Sequence, residues 1–381
     1  MRKALRNPDL VYRRRWLTLL VLCISLIVIT LDNTILNVAI PTLAHPTSQG
    51  GLGATASQLQ WMVDGYILVF AGLLLTAGSL GDRFGRYRFL ALGLFIFGVG
   101  SALSAFAPSA NALIATRALM GIGGAFIMPA TLSIITNVFT DPKERGKAIG
   151  VWAGVSALGI GLGPITGGFL LEHFWWGSIF IVNVPIVIVG LVLGFMLVPE
   201  SRDPAHSALD PVGAVLSIVS LGTILWAVIE APSHGWGAPE IVGAFAIGFA
   251  VLAVFFVWEL RSSHPMLDMH FFENPRFSAA SGAITLVFLS LFGTGSAASA
   301  LATSATMVIF TRSLMGIGGA FIMPSTLSII TNVFTDPERG EDLGRAPAVV
   351  RSLDDRPEDA AERRDGEDRA HRVEGGVLRV A

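Results

Sequence analysis

The chain has 381 residues, 52% of them hydrophobic and only 14% charged, against roughly 25% charged in a soluble domain. Its formal net charge of −2 speaks against nucleic acid as a partner, and its single cysteine, Cys23, excludes an intrachain disulfide. This is the composition of an all-α polytopic membrane protein, with Cys23 a packing residue inside an apolar run.

A membrane-crossing helix needs about 20 predominantly apolar residues. That criterion predicts ten helices, at about 17–40, 58–80, 89–107, 112–138, 148–170, 178–198, 212–230, 241–260, 279–302 and 307–334. The first run is longer than a signal-peptide core and has no small-residue cleavage site, so it is read as an uncleaved span. Charge sets the orientation. Segments 1–16, 81–88, 139–147, 199–211, 261–278 and 335–381 hold 24 of the 26 Lys and Arg residues. The loops on the other side, 41–57, 108–111, 171–177, 231–240 and 303–306, hold none. Basic loops stay in the cytoplasm. Both termini are therefore expected there, in a multi-pass protein of the plasma membrane with an even number of spans.

In chain order, the first span ends LDNTILNVAIP (31–41), with Asp32 inside the apolar run and Asn33 and Asn37 four apart on one helix face. Asp32 is a candidate proton or cation site. The asparagines read as interhelical packing groups, with a place on a substrate cavity as the alternative. The second span contains WMVDGYILVF (61–70), where Asp64 is either an interfacial residue or a cation attractor at a cavity mouth. GSLGDRFGRYR (78–88) follows. Gly78 and Gly81 permit close helix approach, Asp82 sits at a helix end, Gly85 lies in the loop, and Arg83, Arg86 and Arg88 are expected to face the cytoplasm. In the fourth span Arg117 stands inside an apolar run. An arginine in hydrocarbon costs about 2.5–3.5 kcal/mol on insertion scales, so it is expected to face the protein interior or a cavity. In GIGLGPITGG (159–168), Gly159, Gly163 and Gly167 recur every four residues and form a smooth face. Pro164 can bend that helix, and with Gly168 the group reads as a hinge at a moving interface. In FWWGSIFIVNVP (174–185), Trp175 and Trp176 fit an aromatic belt. Glu230 reads as interfacial. His264, Asp268, His270 and Glu273 are too irregularly spaced around Pro265 for a metal site, so no metal and no cofactor is expected. GIGLGP lies inside an apolar span with no strand before it, which argues against a nucleotide-binding enzyme.

Four of these stretches, in this order, resemble signatures of the major facilitator superfamily, and within it the fourteen-helix drug:proton antiporters. GSLGDRFGRYR resembles the loop between helices two and three. LDNTILNVAIP resembles the first-helix signature of the fourteen-helix branch, LIATRALMGIGGAFIMP (113–129) the fourth-helix signature, and GIGLGPITGG the antiporter signature of helix five. In the fourth, Met120 stands where glutamine is usual, which would remove a polar partner from Arg117. The resemblance covers residues 1–292. It implies a cytoplasmic N-terminus (1–16), a six-helix bundle (17–198), a cytoplasmic linker (199–211), two linker helices (212–260) and an interfacial connector (261–278). It also implies alternating access, with proton and small-molecule substrate competing at Asp32, Arg117 coupled to it, and the Asp82 loop a cytoplasmic latch.

The pattern then breaks. Residues 311–337 repeat 116–142 at 25 of 27 positions, and 293–310 match 98–115 at 10 of 18. Recent recombination, or an assembly error, accounts for such uneven divergence. Residues 279–337 thus read as a two-helix remnant, four further helices in all beyond the six-helix bundle. In the tail, 338–381, 21 of 44 residues are charged. It reads as disordered, with a composition that suits a shifted reading frame. Three functions are expected from these observations: proton-coupled efflux of lipophilic compounds, a rearranged chain that no longer transports, and a metabolite uptake permease. The partners expected are protons, a small molecule and the bilayer. A homo-oligomer is left open, since nothing in the sequence specifies it.

Overall fold

The computed structural model describes residues 8–202 and 210–262 continuously, with scattered positions from 265 to 307. All of these lie in one compact unit, Met1–Phe334. Nearly all of the last two predicted spans and of the remnant, with Arg312, a part of the connector that includes His264 and Asp268, and the charged tail lie outside the described residues.

Among the described residues every regular element is helical, and eight stretches are long and apolar enough to cross a membrane. They correspond to the first eight predicted spans. Helix α1 is Pro8–Ala44. At 1.5 Å per residue its 37 residues reach about 55 Å, so its basic first turns extend beyond a hydrocarbon core of about 30 Å. Helix α2, Ala56–Phe84, starts at a capping box in which Thr55 and Gln58 satisfy each other's backbone N–H groups. Gly85, at φ +129°, turns the chain into α3, Arg86–Ala105. A side chain is strained at that angle.

Three later starts use side-chain caps. Ser109 accepts from the Ala112 amide at the start of α4, Ala110–Val138. Asp141 accepts from the Glu144 amide at the start of α5, Pro142–His173, and Asp210 from the Gly213 amide at the start of α8, Pro211–His234. In α5 and α8 a proline occupies the first turn, where its missing N–H costs nothing. Between them, one crossing segment is divided into α6, Ser178–Ile181, and α7, Asn183–Leu197. Pro185 has no N–H to offer the Ile181 carbonyl, so the helical ladder lapses at Val182. Helix α9 is Pro239–Arg261.

Small residues set the packing. Helix α4 lies between α2 and α3. A Cβ on Gly123 would come within 2.6 Å of the Phe97 nitrogen and 2.7 Å of the Gly93 oxygen in α3, and one on Gly121 within 2.7 Å of the Tyr66 oxygen in α2. Helix α1 packs on both α5 and α7 and carries much of the core, with Leu22, Leu26, Ile35 and Leu36 buried. The α8–α9 pair rests on α2, where Ile218 fills the space beside Gly72 and the Ser57 hydroxyl donates to Glu230. The outward side of α9, with Phe249, Val254, Phe256 and Leu260, is exposed and apolar, a surface suited to lipid.

Candidate functional site

The site is built where α1, α2, α3, α4 and α7 converge. Asp32 of α1 and Arg117 of α4 form an ion pair through Oδ2 and a terminal guanidinium nitrogen, with exposures of only 0% and 1%. Arg117 Nε donates to the Met62 carbonyl of α2 at 3.0 Å, and its guanidinium carbon lies 4.4 Å from the centre of the Tyr66 ring. Met120 places its sulfur 3.9 Å from the same guanidinium. The arginine thus has a carboxylate, a carbonyl and an aromatic face as partners, although Met120 stands at the glutamine position. Carboxylate and guanidinium buried together in this way avoid the several kcal/mol that either charge would cost alone.

The second carboxylate oxygen of Asp32 is held from the sixth crossing segment. Asn183 Nδ2 donates to Oδ1 at 3.0 Å and also lies 3.1 Å from the Ser101 hydroxyl of α3, which donates to the Phe180 carbonyl at 2.8 Å. Sequence reasoning missed Asn183, Ser101 and Tyr66. The available signal was a polar residue, in VNVP, inside an otherwise apolar span. The other expected cavity residues stand differently. Asn33 and Asn37 are half-buried, with Asn37 Nδ2 donating to the Asn33 carbonyl at 3.3 Å. Asp64 is half-buried and two positions from both Met62 and Tyr66, about 200° around α2 from the face that meets Arg117. It is not one of the groups bonded to Asp32 or Arg117.

A second constellation closes the α2–α3 turn. Arg86 was expected to face the cytoplasm with Arg83 and Arg88; instead it is buried. Its Nε donates to Asp82 Oδ1 at 2.6 Å and another nitrogen to the Ser133 carbonyl of α4 at 3.2 Å. The turn at Gly85 brings the start of α3 back beside the end of α2, so the Arg86 guanidinium meets the Asp82 carboxylate instead of water. Arg83 and Arg88 are exposed. The segment after α7 covers this turn. Glu200 accepts from the Tyr87 amide at 3.2 Å and pairs with Arg88 at 3.5 Å, and the Ser201 carbonyl accepts from the Arg86 amide at 3.0 Å. Any side chain at Gly85 would meet the Glu200 carboxylate. A Cβ on Gly78 would make only ordinary contact with Pro129 of α4. Nearby in kind, Arg15 of α1 grips both oxygens of Glu144 of α5 at 2.8 Å.

The glycine face of α5 lies along α1. Cβ atoms on Gly159 and Gly163 would fall 2.0 and 1.9 Å from the hydroxyls of Thr30 and Thr34, and one on Gly167 3.0 Å from Ile35. Gly168 has open space around it, and α5 continues unbroken through Pro164.

Residues 22–270 match the sequence profile of the Major Facilitator Superfamily. The chain belongs to this superfamily. It is 46% identical over 280 residues to the multidrug efflux pump LfrA of Mycolicibacterium smegmatis, covering 74% of this chain and 54% of that protein. It is 40% identical over 261 residues to the methyl viologen resistance protein SmvA of Salmonella typhimurium, covering 68% and 52%. With the methylenomycin A resistance protein of Bacillus subtilis it shares 37% over 276 residues, covering 72% and 58%. The chain therefore spans about half the length of the curated relatives it matches. In fold it is similar to a crystal structure of the peptide transporter POT in complex with sulfate, with a TM-score of 0.51 and 18% identity over 79% of this chain and 65% of that one. An all-α, multi-pass membrane transporter architecture follows from these matches and the eight apolar helices.

Proposed function

We propose that the chain is a proton-coupled exporter of small lipophilic compounds, of the fourteen-helix type. The observation that carries this reading is the buried Asp32–Arg117 pair linking α1 to α4. It is supported by the efflux and resistance proteins among the chain's relatives. Protonation of Asp32 removes its charge, releases Arg117 from the pair and changes the balance between helices that the pair holds together. A cationic or polar substrate group and a proton would then compete for one carboxylate. Asn33, Asn37 and Asp64 supply further polar groups for a cavity. The Asp82–Arg86 turn with Arg83, Arg88, Gly78 and Gly85 acts as the cytoplasmic latch, and the Gly159–Gly163–Gly167 face with Pro164 and Gly168 as the surface on which α5 shifts. Residues 17–198 form the transporting bundle and 212–260 the linker helices. The termini lie in the cytoplasm and the protein resides in the plasma membrane.

Alternating access requires a second bundle for the first to close against. A second reading, a rearranged chain that no longer transports, therefore rests on the near-copy of 116–142 at 311–337, where a second bundle's own helices would follow. Retention of a fluorescent lipophilic cation decides between them, in cells expressing this chain, its Arg117→Ala variant or an empty vector, with membrane insertion verified. Export is expected to lower retained dye in a proton-gradient-dependent way that needs Arg117. Retention equal to vector, with the chain in the membrane, favours the second reading.

A further inference from the structure

Beyond the ion pair, three groupings of buried or clustered polar side chains stand out among the described residues. They are the Asp210–Glu259 cluster at the start of α8, the His234 cluster at the end of α8, and the amide of Asn183. The third is carried furthest, because its geometry is complete and joins the site from a separate element.

Asn183 is fully buried at the lapse between α6 and α7. Its Nδ2 donates to Asp32 at 3.0 Å and to Ser101 at 3.1 Å, while its Oδ1 is buried with no hydrogen-bond partner among the described residues. A buried amide oxygen without a donor costs about 1–3 kcal/mol unless another state of the site supplies one. A carboxylic acid is such a donor. We propose that Asn183 is a positioning residue that reads the protonation state of Asp32 and transmits it to the sixth crossing segment. With Asp32 ionised, the amide N–H serves the carboxylate, as observed. When Asp32 takes up a proton, its new O–H donates to Asn183 Oδ1 after a turn of the amide, which gives that acceptor a donor and takes Nδ2 away from Asp32 and Ser101. Arg117 then keeps the Met62 carbonyl and the Tyr66 face but loses the carboxylate charge.

The consequence reaches the backbone. Turning the amide alters its contact with the Ser101 hydroxyl, which holds the Phe180 carbonyl at 2.8 Å, two residues before the lapse. Proton binding at α1 would thus be felt where α6 meets α7, at a break already set by Pro185. Hydrogen-bond chains in a low-dielectric interior reinforce one another, so a change at one end is not confined there.

The inference rests on Asp32 as the proton site, and its test separates the two ideas. Infrared difference spectra between acid and alkaline pH are recorded on the full chain in liposomes, for the native protein, Asp32→Asn and Asn183→Leu. The expected native spectrum contains a carboxylic C=O band that Asp32→Asn abolishes. In Asn183→Leu that band is expected at higher wavenumber, having lost its acceptor, with its titration midpoint displaced about tenfold in proton concentration. If Asn183→Leu does not reach the membrane, Asn183→Ser, whose hydroxyl is too short to reach Asp32, carries the same expectation. A band identical to native in the Asn183 variant overturns the positioning role while leaving Asp32 as the proton site. Absence of any Asp32-dependent band overturns both.

Discussion

Asp32 and Arg117 are separated by 85 positions in the chain, yet each is the other's charged partner inside the bundle. Removing one member of such a pair strands the other in a low-dielectric interior. Arg117→Met is therefore expected to destabilise the purified chain by about 3–5 kcal/mol, and the double variant Asp32→Leu/Arg117→Met to recover most of that loss. Thermal unfolding in detergent checks it; single and double variants whose losses simply add would refute the coupling. Both charges were legible in the sequence, because an ionisable group in an apolar run stands out against its neighbours. Their partners were not. Asn183 and Ser101 are 82 positions apart and neither is charged, so nothing local marks them as neighbours. Arg86 was misread for the converse reason: a basic residue in a basic loop looks solvated, and only the fold shows it turned inward onto Asp82 and the Ser133 carbonyl.

At the scale of helices, glycine spacing carried the packing. The four-residue repeat at Gly159, Gly163 and Gly167 predicts a flat face, and that face meets Thr30, Thr34 and Ile35 of α1. The α3–α4 contact, backbone against backbone, was less legible, since Gly93 and Gly123 belong to different helices and nothing in either stretch names the other. The contrast can be measured. Leucine at Gly123 would drive a side chain into the α3 backbone and is expected to cost about 1–3 kcal/mol or more, in the range of overpacking. Leucine at Gly154, exposed on α5 with nothing within 4 Å, is expected to leave stability within about 0.5 kcal/mol. Equal losses in the two variants, by thermal unfolding, would show that the α3–α4 contact is not close. The division of the sixth span also belongs here. Its cause, Pro185, was on view, but the hydrophobic run around it reads as one uninterrupted crossing.

At the scale of the molecule, eight helices among the described residues are long and apolar enough to cross a membrane, and the charge asymmetry of the loops predicts their orientation. Because the native Cys23 is buried, single added cysteines report position cleanly. Ser48→Cys is expected to react with an impermeant maleimide in intact cells, and Lys143→Cys only after permeabilisation. The reverse pattern would invert the bundle and place the Arg15–Glu144 and Asp82–Arg86 pairs on the outer side. The claim that joins all three scales is that proton binding at Asp32 drives transport. It is tested most directly in proteoliposomes containing the full chain, with a pH-sensitive dye inside and an imposed proton gradient. Adding a lipophilic cation is expected to discharge the gradient through the native chain and to leave it intact with Asp32→Asn. Discharge at the native rate in Asp32→Asn, or none in the native chain, would contradict that claim.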